Sequence, residues 1–129
     1  MSWIDYDNYR DISVLIGKTL TECSKVGDDE IRFVADGETY LMNHSQDCCE
    51  HVYIESIVGD LQDLVGEPIL VAEESTSDKD PEGYKREYPP DSVTWTFYKF
   101  ATRKGYVDIR WLGESNGYYS ESVSLSIAP

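Results

Sequence analysis

The chain has 129 residues, of which 40% are hydrophobic, and a net charge of −14 from 25 acidic and 11 basic residues. This length and apolar fraction predict a single domain with a hydrophobic core, and they exclude a globally disordered chain. No run approaches the ~18 apolar residues of a membrane span, and the N-terminal residues lack the basic and apolar regions of a signal peptide. We therefore expect a cytoplasmic protein.

The acidic residues are unevenly distributed along the chain. Residues 1–70 carry 15 acidic and four basic side chains, whereas residues 71–129 carry 10 and seven. Such a charge repels the phosphates of nucleic acids and acidic lipids, and it attracts basic protein surfaces or metal ions. We expect no direct binding to nucleic acid or membrane. The same acidity also serves solubility, which is the simpler interpretation.

The first elements are a short helix and a hairpin. Asp11 is placed to cap a helix over residues 12–16 that Gly17 would end. The segments 31–35 and 38–42 are rich in strand-forming residues and flank Asp36-Gly37, a pair suited to a two-residue turn with positive φ. The sequence therefore predicts a β-hairpin here.

The centre of the chain has two interpretations. Asp47 followed by Glu50 resembles a capping box, which would begin a helix. The β-branched and aromatic residues from 52 to 58 favour a strand instead. We prefer a turn at 45–50, a strand at 51–57, a two-turn helix at 60–65 with Asp60 as N-cap, and a strand at 69–73.

The segment 75–92 is polar and contains several prolines and charged residues. Because it shows no strand or helix pattern, we expect an exposed loop that is mobile until a partner binds it. Its tyrosines Tyr84 and Tyr88 are candidate contact residues.

The C-terminal third alternates apolar and polar residues over 93–100, 106–112 and 123–127. Such alternation predicts three antiparallel strands with one polar face. Asn116-Gly117 indicates a hairpin between the last two. The fold class we expect is α+β, mainly an antiparallel sheet of six or seven strands with one or two short helices.

The three cysteines, Cys23, Cys48 and Cys49, do not imply a disulfide framework, since their number is odd and two are adjacent. A bond between neighbouring cysteines closes a small strained ring, which makes a Cys48–Cys49 disulfide the less favoured interpretation. Reduced thiols are typical of a cytosolic protein.

The most informative segment runs from His44 to His51, because it combines histidines, cysteines and carboxylates. If residues 48–54 are extended, neighbouring side chains point to opposite faces. The core face would then hold Cys48, Glu50, Val52 and Ile54, and the other face Cys49, His51, Tyr53 and Glu55.

Three interpretations of this segment remain open. His44, Cys49 and His51 are possible zinc ligands, with Asp47 or Cys23 as a fourth, although their spacing matches no zinc finger or ribbon. Cys49 could act as a nucleophile, although the surrounding carboxylates disfavour its thiolate. In the third interpretation the segment is structural, with packed cysteines and surface histidines.

The candidate binding residues combine this segment with the tyrosines of the loop. They are His44, Asp47, Cys49, Glu50, His51, Tyr53, Tyr84 and Tyr88. Further aromatic residues that could contact a partner are Trp3, Tyr6, Tyr9, Tyr118 and Tyr119.

The run His44-Ser45-Gln46-Asp47-Cys48-Cys49-Glu50, followed by Val52-Tyr53-Ile54-Glu55 and Gly59-Asp60-Leu61, resembles an uncharacterised family of small phage and bacterial proteins. The resemblance extends over about residues 14–74 and includes Asp63-Leu64, Gly66, Pro68-Ile69 and Ala72-Glu73-Glu74. It implies a phage or prophage origin and assigns no activity.

These observations favour a non-enzymatic protein that presents an acidic face and the 75–92 loop to a host protein with a basic surface. Such a protein would inhibit a host defence or nucleic-acid-binding protein. One alternative is a small-molecule or metal site around His44–His51. Another is a nucleotide-binding sponge that uses the tyrosines together with Arg32, Arg103 and Arg110.

Overall fold

The structure, a computed structural model, describes residues 8–128, and in these residues the chain forms nine strands. They are β1 (Tyr9–Arg10), β2 (Glu22–Val26), β3 (Glu30–Ala35), β4 (Glu38–Asn43), β5 (His51–Val58), β6 (Val71–Ser77), β7 (Ser92–Thr102), β8 (Gly105–Ser115) and β9 (Ser124–Ile127). The described helical structure consists of two single 3₁₀ turns, Ile12–Leu15 and Leu61–Leu64. The fold is therefore mainly β, and the expected α+β class with six or seven strands is corrected.

The strands form two antiparallel sheets. The first sheet has the order β1-β9-β4-β3-β2, and the second has the order β5-β8-β7-β6. Several strands alternate buried and more exposed residues, as in β3, where Ile31, Phe33 and Ala35 are buried. This alternation gives each sheet one apolar face, and the two apolar faces pack together as in a β-sandwich.

The core lies between the two sheets. Phe33 of the first sheet packs against Phe100 of the second, with ring centroids 5.4 Å apart. Val107, Ile109 and Trp111 of β8 are fully buried, which confirms the inner face expected from their alternation. The opposite face of the second sheet points away from the first sheet and is called the outer face below.

The predicted helix caps are confirmed, but the helices are shorter than expected. The Asp11 carboxylate accepts a hydrogen bond from the backbone N–H of Ser13, and that of Asp60 accepts one from Gln62. Each cap begins only one 3₁₀ turn. After Leu64 the chain extends instead, because Val65 and Pro68 form β-bridges with Leu20 and Thr19.

The predicted hairpin and the predicted central strand are both confirmed. Asp36 and Gly37 have φ of 54° and 79° and join β3 to β4, since aspartate and glycine tolerate the left-handed conformation of a tight turn. β5 begins at His51 and ends at Val58. The loop is shorter than 75–92, because Ser75–Ser77 belong to β6 and pair with β7.

The predicted C-terminal meander is wrong in its last strand. β7 and β8 pair as expected, but β9 pairs with β1 and β4 in the first sheet. The chain crosses between the sheets after Ser115, and it passes so close to β8 that a Cβ on Gly113 would lie 2.7 Å from the Cβ of Glu121. Asn116-Gly117 therefore belongs to a crossing and not to a hairpin.

No helix among residues 8–128 has the length and apolar character needed to cross a membrane.

Substitution of Gly113 by alanine should destabilise the fold, because the added methyl group would collide with both the Cβ and the backbone oxygen of Glu121. We expect a loss of about 1–3 kcal/mol in the free energy of unfolding, measured by urea denaturation. Lys85→Ala is the control, since it introduces alanine at an exposed position of the chain and should change this free energy by less than about 0.5 kcal/mol. Equal losses for the two variants would contradict the close crossing.

Candidate functional site

Glu50 is a buried carboxylate at the centre of the predicted segment, with a side chain that is 0% exposed. Its Oε1 accepts the backbone N–H of Cys48 at 2.9 Å, and its Oε2 accepts the backbone N–H of Asp47 at 3.0 Å. The amide of Gln46 donates to both Oε1 and the backbone oxygen of Glu50. These bonds fold residues 46–50 into a fixed turn.

His44 completes the hydrogen bonding of Glu50. Its Nε2 lies 2.7 Å from Glu50 Oε2, and its Nδ1 lies 2.6 Å from the backbone oxygen of Ser122. Both ring nitrogens of His44 therefore have hydrogen-bond partners within the protein. His44, at 4% side-chain exposure, therefore links the turn to the segment that enters β9.

The environment of Glu50 favours its ionised form. Burial acts to raise the pKa of the carboxyl, but the hydrogen bonds from Cys48, His44 and the backbone outweigh it and lower the pKa from 4.5 to about 2. A buried carboxylate is tolerated only where its oxygens are satisfied in this way. The arrangement is that of a structural anchor.

The cysteines are arranged differently from the sequence-based expectation. The structure joins Cys48 to Cys49 through a disulfide with an S–S distance of 2.02 Å, so the expectation of two reduced thiols is corrected. Cys48 is exposed and not on the core face, because β5 begins only at His51 and the cysteines lie in the preceding bend. Cys23 is free and buried, and burial followed by the neighbouring Glu22 raises the pKa of its thiol to about 12.

The zinc interpretation finds no support in this geometry. Both ring nitrogens of His44 are hydrogen-bonded within the protein, and the sulfur of Cys49 is bonded to Cys48. Within residues 8–128 no three histidine, cysteine or acidic side chains are grouped so that they could hold a metal ion. The disulfide equally leaves no thiol on Cys49 for the nucleophile interpretation.

His51 and Tyr53 share the outer face of β5, as the strand alternation predicted. Their rings stack with centroids 4.4 Å apart. Burial raises the pKa of the Tyr53 phenol to about 12, and the adjacent Tyr84, Glu114 and Glu55 add to the shift. Two of the predicted site residues, Tyr53 and Tyr84, are therefore neighbours although they are far apart in the sequence.

Tyr84 belongs to a segment, residues 78–91, that lies over the outer face and is called the covering segment. Its ring meets Trp95 edge-on at 4.8 Å, and Asp80 accepts a hydrogen bond from the Trp95 indole N–H at 2.9 Å. Trp95 is 0% exposed although it points away from the core between the sheets. The covering segment thus builds a second, small apolar cluster.

Arg86 fixes the covering segment to the sheet. Its guanidinium donates to both oxygens of Asp80, at 2.7 and 2.9 Å, and to Glu114 of β8 at 2.5 Å. These bonds raise the pKa of Arg86, with the Asp80 bond contributing most, and they lower that of Asp80. Paired hydrogen bonds from one guanidinium are strong and directional, so the predicted mobile loop is held in place at its centre.

Arg110 occupies the outer face beside this cluster. It forms a two-pronged pair with Glu55, at 2.6 and 2.9 Å, and lies 5.1 Å above the Trp95 ring. Glu55 reaches it because the β5–β8 register shifts between Ile54 and Ser56, which leaves Glu55 as the extra residue of a bulge.

The remaining predicted residues do not join one site. Tyr88 is 81% exposed and Tyr118 is 88% exposed, and Tyr9 of β1 hydrogen-bonds Ser45 in the loop after β4. Trp3 and Tyr6 lie outside the described residues. Sequence reasoning missed Asp80, Arg86, Trp95 and Glu114, whose grouping depends on tertiary pairing and leaves no local signal.

An open groove of about 670 Å³ runs along the outer face beyond the covering segment. Its side chains come from all four strands of the second sheet, including Val58, Glu73, Phe97, Lys99 and Asp108. A smaller depression near the disulfide is lined by Cys49, His51, Pro89 and Pro90. The groove is therefore mixed in charge with an apolar floor.

A family model described as a domain of unknown function, DUF7448, matches residues 13–125 of the chain. A search of curated proteins and a search of solved structures each returned no match. The expectation that the chain belongs to an uncharacterised family is confirmed.

Replacement of Glu50 by glutamine should destabilise the protein strongly. The amide cannot accept from every donor around it, and one of its own N–H groups would face another donor. We expect a loss of about 3 kcal/mol or more in the free energy of unfolding, by urea denaturation. The exposed neighbour Asp47→Asn is the control and should change it by less than about 0.5 kcal/mol. A similar small effect for both would refute the anchoring role.

The stability contributed by Glu50 should depend on pH. Because the folded state lowers the pKa of this carboxyl from 4.5 to about 2, its contribution is complete above pH 4.5 and is lost as the pH falls towards 2. Asp11 and Asp80 also have lowered pKa values, so the difference between wild type and Glu50→Gln is the quantity to follow. Urea midpoints should converge as the pH falls, and a constant difference would contradict the assignment.

Loss of the hydrogen bonds from Arg86 to Asp80 and Glu114 should make local opening of the covering segment easier. In Arg86→Gln we expect chymotrypsin to cleave after Tyr84 about tenfold faster than in wild type, because local opening becomes easier. Lys79→Gln, which changes an exposed cation of the same segment, is the control. Unchanged cleavage in Arg86→Gln would mean that other contacts hold the segment.

Proposed function

The chain belongs to the DUF7448 family, and we propose that it is a non-enzymatic binding protein that presents an acidic surface to a basic macromolecule of its host. The observation that carries the proposal is the inward orientation of Arg86. This side chain is only 12% exposed and is neutralised by Asp80 and Glu114. The covering segment therefore shows solvent a predominantly acidic surface.

The exposed charges of this region are mostly carboxylates. Lys79 and Lys85 are the exposed cations of the covering segment. Besides Asp80, which pairs with Arg86, the exposed carboxylates of β6 and the covering segment are Glu73, Glu74, Asp78, Glu82, Glu87 and Asp91. An excess of negative charge on one segment accelerates association with a positively charged partner and orients that partner as it approaches.

The order of the covering segment supports binding as well. A loop that is mobile before binding must lose conformational entropy when it binds, and this loss weakens the complex. Here the contacts of Tyr84, Asp80 and Arg86 already fix the centre of the segment. The acidic surface is thus present before the partner arrives.

The phage origin implied by the sequence resemblance suggests that this surface binds a host protein. A small acidic protein can occupy the basic groove of a host protein that binds nucleic acid or serves in defence, and thereby inhibit it. A nucleotide sponge is less well supported. Arg110 is paired with Glu55, and Arg32 lies near Glu30, so two of the three arginines considered for phosphate binding face carboxylates.

The proposal predicts salt-sensitive binding that depends on the covering segment. We expect a labelled oligolysine peptide, followed by fluorescence anisotropy, to bind at low salt and to dissociate at moderate salt. The triple variant Glu82→Gln, Glu87→Gln, Asp91→Asn should weaken binding about tenfold.

The matched control removes the same charge elsewhere. Glu22→Gln, Asp29→Asn, Asp36→Asn alters exposed positions of the first sheet and its turns, and it should weaken binding by about twofold through net charge alone. Equal weakening by both triples would show that the covering segment is not the binding surface. Absence of binding at low salt would overturn the proposed function.

A further inference from the structure

We propose that β6 is the docking strand for the basic partner, which adds an extended segment to the second sheet and places two consecutive basic residues opposite Glu73 and Glu74. This inference rests on the proposed function, since it names where a basic partner binds and in what conformation.

β6 forms one edge of the second sheet. It pairs with β7 from Val71 opposite Ala101 to Ser77 opposite Trp95, and no other described strand pairs with it. An edge strand presents backbone N–H and C=O groups that an extended peptide can pair with. The opposite edge is partly occupied, because the backbone N–H of Ile54 in β5 donates to the Asp28 carbonyl at 2.6 Å.

The accessible part of β6 is its second half. The turn Ile12–Leu15 lies against the start of the strand, and the Gly17 N–H donates to the Ile69 carbonyl at 2.8 Å. Ala72 is buried, whereas residues 73–76 are all exposed. A bound segment would therefore centre on these residues.

The two glutamates of this stretch lie on opposite faces of the sheet. Glu73 is opposite Lys99 on the outer face, and Glu74 is opposite Tyr98 on the core-facing side. Burial raises the pKa of the Tyr98 phenol, and the nearby Glu74 adds to the shift. Consecutive residues of a bound strand also alternate between faces, so adjacent basic residues would each meet one glutamate.

Neither carboxylate is neutralised by a cation among the described residues, although Glu74 hydrogen-bonds the Tyr98 phenol. Lys99 is the β7 residue opposite Glu73, but the ion pairs found within residues 8–128 include neither Glu73 nor Glu74. Opposite charges that face each other across neighbouring strands attract, and like charges repel. Two copies of this chain pairing edge to edge would bring glutamates together, so the charge favours a basic segment over self-association.

The groove beside the edge provides room for a long side chain. On the outer face Ser75 is followed across the sheet by Phe97, which lines the groove of about 670 Å³. A lysine or arginine on the bound strand can lay its aliphatic stem over the small Ser75 towards Phe97 while its charge stays in solvent. This contact adds apolar area to the backbone pairing.

The first test compares two peptides of equal composition. One alternates threonine and valine around a central Lys-Arg pair, and the other separates the lysine and arginine by one residue, which places both on the same face. We expect the adjacent pair to bind about fivefold more tightly by fluorescence anisotropy. Equal affinities would overturn the pairing with Glu73 and Glu74.

The second test addresses backbone pairing. N-methylation of alternate residues of the Lys-Arg peptide removes every N–H from one of its edges. Methylation in the register that faces β6 should abolish binding, and methylation in the other register should preserve it. If both methylated peptides retain salt-sensitive binding, strand addition is overturned while the proposed function stands.

The third test exchanges the charges. Glu73→Lys with Glu74→Lys should weaken binding of the Lys-Arg peptide about tenfold or more and should bind the corresponding Glu-Glu peptide instead. The triple variant at Glu22, Asp29 and Asp36 is the control and should not bind the Glu-Glu peptide. Loss of Lys-Arg binding without gain of Glu-Glu binding, in a variant with an unchanged thermal midpoint, would contradict the assignment of the site.

Discussion

The architecture depends on one buried carboxylate. Glu50 lies immediately before β5, accepts the backbone N–H groups of Asp47 and Cys48, and holds His44 at 2.7 Å. His44 follows β4 of the first sheet, and its Nδ1 is hydrogen-bonded to the Ser122 carbonyl, just before β9. The end of one sheet, the start of the other and the crossing segment are thus joined through two side chains. Because their polar atoms are satisfied, this connection is compatible with near-complete burial.

A second set of ion pairs stabilises the outer face. Arg86 forms ion pairs with Asp80 and Glu114, and Arg110 forms one with Glu55. Both guanidiniums also lie over aromatic rings. Cations that face inward stabilise the covering segment, but they no longer offset the acidic residues at the surface. Internal order and external acidity therefore have a common origin.

Local chemistry explains which features could be predicted from the sequence. Asp36-Gly37 and the Asp60 cap depend on neighbouring residues alone, and both were predicted correctly. Alternation also predicted correctly that Glu50 is buried, although Glu50 precedes β5. Its partner His44 could not be inferred, because that contact requires the turn to close. The pairing of β9 with β4 and the short helices were missed for the same reason, since long-range bridges override local preference.

The charges of β6 determine which kind of strand could pair with its free edge. Natural sheets protect exposed edges with charged residues, most often lysine, that oppose pairing with another chain. In β6 that protection is acidic, with Glu73 and Glu74 on opposite faces of the sheet. Acidic protection resists a second copy of the same acidic protein but not a basic strand. An edge that resists self-association and accepts a basic segment agrees with the proposal that this chain, with its net charge of −14, binds a basic partner.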